Sequence, residues 1–173
     1  MQLGTFLLII PILWGCSVSY TMSGISIDYE KVKTISIQPF FSEISLGPAN
    51  IAQTFTNKLT DYYQQNTNLS LVQQEGDLQI EGGVTGYTLQ PVAPQSSGNN
   101  TQNDFAAQTR LTITVKVTFY NTTDDTYNFE NRSFSFFQDL DNRQDITAVE
   151  NELIDKIFDQ IAMDIFNASV ANW

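Results

Sequence analysis

The chain has 173 residues, with 8 Lys and Arg against 19 Asp and Glu, a formal net charge of −11, and no histidine. A surface this acidic repels a polyanion on average, which argues against a nucleic-acid partner. No GxSxG elbow, P-loop or GxGxxG occurs, and with the usual general base missing nothing converges on hydrolase or nucleotide chemistry.

The N-terminus reads "MQLGTFLLIIPILWGCSVSY" and carries the only cysteine, Cys16. Cys16 has no second thiol to pair with inside the chain and no histidine to activate it or share a metal. The run Phe6–Trp14 is far short of the ~20 apolar residues that span a bilayer; it fits the apolar core of a secretory signal. Its end, Leu13-Trp14-Gly15-Cys16, resembles the bacterial lipobox, where a lipid is joined to the thiol and the leader is cut just before it. Gly15 supplies the small residue beside the cut and Leu13 the upstream apolar position. Trp14 is bulky for its place, and no Lys or Arg precedes Phe6, so an upstream start codon stays open. The alternative is a buried cysteine in an ordinary first helix.

The expected division is a signal peptide over 1–15, a lipidated tether over 16–31 and one domain over 32–173. Each buried methylene of an acyl chain contributes ~0.8 kcal/mol, so the several chains of a bacterial lipoprotein make attachment effectively permanent. Ser17 is not the Asp that holds many lipoproteins at the inner membrane, which favours delivery to the outer membrane. The mature chain is then a soluble body on a membrane anchor.

Within the domain, "KVKTISIQPF" alternates at Ile35-Ser36-Ile37-Gln38 and stops at Pro39, the pattern of a strand with one buried face. In "SLGPANIAQTFTNKLTDYYQQN" the residues Ile51, Phe55, Leu59 and Tyr62 recur at helical spacing, with Pro48 or Asn50 at the start and "QQNTNL" at the end. Residues 69–72 read as the lead-in to a long strand carrying Leu78, Ile80 and Val84. Gly82-Gly83 marks either a bulge or a close backbone approach there. The segment "APQSSGNNTQND" has the composition of a flexible hairpin tip.

"RLTITVKVTFYN" is the clearest strand: Leu111, Ile113, Val115, Val117 and Phe119 face one way, Arg110, Thr112, Thr114, Lys116, Thr118 and Tyr120 the other. "YNFENRSFSFFQDL" returns as an aromatic-rich strand whose apolar phase changes near Asn131, predicting a bulge. Asp139, Asp141 and Asp145 faintly resemble a calcium loop but lack its central Gly and final Glu. They read as helix-capping carboxylates, and no metal and no cofactor is expected. The last helix carries Val149, Leu153, Ile157, Ile161 and Ile165 at four-residue steps, widened by Ile154 and Phe158, and Thr147 with Glu150 reads as a capping box.

The order is β-α-β-β-β-α, an α+β single domain. Two amphipathic helices and a half-apolar sheet bury their surfaces together when both helices cover one sheet face. The face with Arg110, Thr112, Lys116 and Tyr120 is expected to stay open.

The stretches "GCSVSYTMSGISI", "VKTISIQPFFS", "IAQTFTNKLTDYYQQNTNLSLVQQEGDLQIEGGVTGYTLQPVA", "RLTITVKVTFYN" and "VENELIDKIFDQIAMDIFNASVANW" together resemble the lipopolysaccharide-assembly lipoprotein family LptE, in its Bacteroidetes-type branch. The resemblance implies a four-stranded mixed sheet with two helices packed on one face. It also implies a non-enzymatic outer-membrane protein that plugs and helps assemble the large β-barrel LptD, on the periplasmic side and in the barrel lumen, and contacts lipopolysaccharide on its way to the surface. Phosphate contact calls for Arg or Lys; Arg110 and Lys116 are the candidates. Two other classes stay open: a lipid-anchored module binding sugars or peptides on the open sheet face, and a hydrolase using acidic residues.

Overall fold

The computed structural model describes residues 27–92, 108–141 and 143–171; the leader, Cys16, most of the tether and the hairpin tip lie outside them. The elements are β1 (Thr34–Ile37), β2 (Phe41–Ser42), α1 (Ile51–Asn66), β3 (Ser70–Val72), β4 (Leu78–Val92), β5 (Gln108–Asn121), β6 (Phe129–Asp141) and α2 (Ile146–Ser169). The strands form one mixed sheet in the order β3-β1-β4-β5-β6, with β2 beside β4. The pairs β1–β3, β1–β4 and β2–β4 are parallel, and the two long hairpin pairs are antiparallel. Both helices pack on one face, as the pattern required.

The sheet has six strands where four were expected, and both additions come from pairing that no local pattern announces. Pro39 ends β1, since it has no N–H for the ladder. The chain then resumes beside the same neighbour as β2, at Phe41 opposite Gly83. The interruption is satisfied from the helix layer: the buried Thr56 hydroxyl accepts the Phe40 N–H and donates to the Ala52 carbonyl. Residues 70–72, read as a lead-in, form the separate edge strand β3 on the other side of β1.

Strands β3 and β4 both run parallel to β1 and flank it, so residues 73–77 must cross over β1 as a strap. Gly76 lies so close that a Cβ there would sit 2.5 Å from the Ser36 amide nitrogen. Glu75 takes a left-handed φ of 55° to make the crossing. The strap is fastened by Asp77, whose carboxylate accepts the Lys33 and Thr34 N–H groups and the Thr34 hydroxyl at 2.8–2.9 Å. These bonds hold the Asp77 carboxyl below its ordinary range. Ser36, on the sheet face away from the helices, is buried beneath the strap.

On the helix side the core is continuous. Leu111, Ile113, Val115 and Val117 of β5 are fully buried, together with Phe158, Ile161 and Ile165 of α2 and Phe55 and Leu59 of α1. Phe55 meets Phe40 and Phe158 edge-on at 5.0 and 4.9 Å. The α1 stripe runs through Tyr63 rather than Tyr62, because a constant four-residue step keeps it facing α2, where its hydroxyl meets that of Ser169. Burial pushes the Tyr63 phenol well above its usual value. Lys58 ties the helices from outside, 2.6 Å from Asp155 and 2.9 Å from Asp159.

Three further local expectations are corrected or resolved. Asp145, not Thr147, caps α2, its carboxylate accepting the Thr147 N–H at 2.9 Å. Glu150 instead receives the Tyr87 hydroxyl from β4. In β4 the register shifts at Thr85, between Val84 and Gly86, so the two glycines mark close approach and the bulge falls just beyond them. The β6 bulge falls where expected: Val117 pairs with Arg132 and Phe119 with Phe129, leaving Asn131 at φ 50°.

Candidate functional site

The two faces of the sheet differ because β5 alternates. Its buried residues point at the helices; Arg110, Thr112, Thr114, Lys116, Thr118 and Tyr120 form a row on the open face. Among the described residues this face holds every candidate contact named from the sequence. Cys16 lies outside them.

The structure gives Arg110 and Lys116 different roles. Arg110 forks onto Asp139 of the neighbouring strand, Nε to Oδ1 at 2.7 Å and Nη2 to Oδ2 at 2.8 Å. Its guanidinium also lies 3.7 Å from the centre of the Phe137 ring. The hydrogen bonds from Arg110 hold the Asp139 carboxyl below its usual range. An incoming phosphate must therefore compete with an internal partner. Lys116 is exposed and has no ion pair among the described residues.

Lys116 lines a groove of about 450 Å³ with Phe41, Glu43, Glu81, Thr85 and Thr118. Sequence reading missed Phe41, because its two-residue strand has no period to read. Gly82 and Gly83 explain its placement, one glycine for each sheet face. A Cβ on Gly82 would meet the Phe40 ring at 2.9 Å on the helix side. One on Gly83 would meet the Phe41 ring at 2.4 Å on the open side. Phe41 thus rests one ring face on bare backbone while 54% of it stays exposed. A second hollow of about 240 Å³ continues past Glu81 and Gln79 to Tyr120.

The three aspartates do not come together. Asp139 holds Arg110, Asp141 is held down to about 2 by the Arg143 guanidinium, and Asp145 caps α2. Among the described residues no group of His, Cys, Asp or Glu is placed to hold a metal, and no helix is long and apolar enough to cross a membrane.

The described residues form a two-layer α+β body in which two helices cover one face of a mixed sheet and leave the other largely open. The family model for LptE, described as lipopolysaccharide-assembly, matches residues 32–169. The chain belongs to that family and so to lipopolysaccharide assembly. No curated protein matches the sequence.

Among solved structures, a hypothetical protein from Chlamydia trachomatis is 9% identical, with 79% of this chain and 97% of that one covered at a TM-score of 0.50. The rare lipoprotein B from Shewanella oneidensis is 16% identical, over 79% and 92%, at 0.48. The minor lipoprotein from Acinetobacter baumannii is 14% identical, over 78% and 89%, at 0.46. The Chlamydia likeness is one of fold; membership rests on the family match.

Proposed function

We propose that the chain is an outer-membrane lipoprotein, anchored through Cys16, that sits in the lumen of an LptD-like β-barrel as a plug and helps it assemble for lipopolysaccharide transport. The family match over nearly the whole domain carries this reading. The physical requirements agree with it: barrel interiors are polar, and the described body has a sheet face that is open over β4 to β6 and rich in Thr hydroxyls. A lipid tether raises the effective concentration of the body at its membrane. The role needs no covalent chemistry of the protein.

Lys116 and Arg110 are the proposed lipopolysaccharide contacts, Lys116 as a free ammonium and Arg110 only by exchanging Asp139 for phosphate. Charge reversal at both positions is expected to weaken lipopolysaccharide binding; unchanged binding removes them from the role. The exposed Phe41 groove also suits the second reading, a lipid-anchored module for sugars or peptides. Pull-down from detergent-solubilised outer membranes separates the two. The plug recovers one large β-barrel protein in near-equal amount, and depletion then lowers surface lipopolysaccharide. A preparation free of any barrel overturns the plug.

A further inference from the structure

We propose that the groove beside Phe41 receives an arginine side chain from a partner protein. The inference deepens the plug reading and rests on it for the partner's identity. Four observations converge. Phe41 presents an outward ring face, its inward face being seated on Gly83. Glu43 and Glu81 line the same groove, both exposed and neither with a side-chain hydrogen bond or ion pair among the described residues. Against these two carboxylates stands one ammonium, Lys116, so the groove is left with negative charge in excess.

The fourth is that the same sheet face already holds a filled version of this arrangement. There the Arg110 guanidinium sits 3.7 Å from the centre of the Phe137 ring and forks onto Asp139. Ring and carboxylate together select a planar cation, since the ring quadrupole attracts it from above while the carboxylate takes its donors at the edge. Phe41 with Glu43 and Glu81 offers the ring and the acceptors without the guanidinium. Charge complementarity and the ring together name the occupant: an arginine side chain, drawn by two carboxylates in excess over the one ammonium.

The test uses the full lipidated chain in detergent micelles, isotope-labelled for amide NMR, with the peptide acetyl-Ser-Arg-Ser-amide and its citrulline counterpart as probes. The Gly83 and Lys116 amide signals are expected to move with the arginine peptide and not with neutral citrulline. Glu81→Gln is expected to weaken the response several-fold, and Phe41→Ala to do the same if it folds. No movement, equal movement with citrulline, or movement only with a dephosphorylated oligosaccharide overturns the inference. In pull-downs Glu81→Lys is expected to recover several-fold less barrel than the wild-type chain. Equal recovery sinks the groove contact and leaves the plug standing. If the wild-type chain recovers no barrel, the plug falls and the peptide titration still decides the groove.

Discussion

The helix-covered face and the open face of the sheet are built from the same strands and obey different rules. On the covered side Phe40, Phe55 and Phe158 interlock edge to edge and the neighbouring Leu, Ile and Val side chains are shut away from water. Shape decides what is tolerated there, because interiors pack like crystals and a void has no partner atoms. On the open side the residues are threonines, charges and half-exposed rings, joined by a few polar contacts such as Arg110 with Asp139 rather than by close packing. That side is constrained at the strap over β1, under Phe41 and where Arg110 grips Asp139. The lesson is a division of labour by parity: in β5, odd positions supply stability and even positions face outward.

The comparison is most severely tested at Phe158. Phe158→Ala removes a fully buried ring that meets Phe55, at an expected cost of about 3–5 kcal/mol, read as a lower denaturant midpoint. The strap is the exception on the open side, and Asp77→Ala should cost about 1.5–3 kcal/mol by stranding the β1 donors. Asp77 also sets a pH dependence. Its folded carboxyl is held low by those donors. Its stabilisation is therefore present above the ordinary carboxylate value near ~3.9 and lost as pH falls through the lowered folded value. Melting temperature should fall more steeply as pH drops below about 4 in the wild-type chain than in Asp77→Asn; parallel curves would show that the strap is not fastened there.

A smaller cost, about 1–3 kcal/mol, is expected for Gly82→Ala, since the added carbon would sit 2.1 Å from the Lys116 carbonyl oxygen and the strands must part. The least effect is expected at Lys116→Glu, within about 0.5 kcal/mol of wild-type stability while lipopolysaccharide binding weakens. A large loss of stability there would break the division between faces.

Much of this was legible in the residues. The alternation from Leu111 to Phe119 announces a strand with one buried face, and it is buried as read. The four-residue stripe of α2 and the phase change near Asn131 likewise carry their own period. Strands β2 and β3 carry none: two and three residues become strands only because β4 and β1 offer them backbone partners. Arg110 and Lys116 look alike in the pattern, and only cross-strand register puts Asp139 beside one of them.

Periodicity and proline thus determined the fold class, the two helices and the long hairpin strands, because each is a local property repeated over many residues, while the family was legible only as a resemblance of whole stretches. The tertiary structure alone decided the sixfold strand count, the strap across β1, the seat of Phe41 on Gly83 and the capture of Arg110. Those depend on which distant backbone or side chain arrives within a few ångströms, and a linear pattern does not encode that distance.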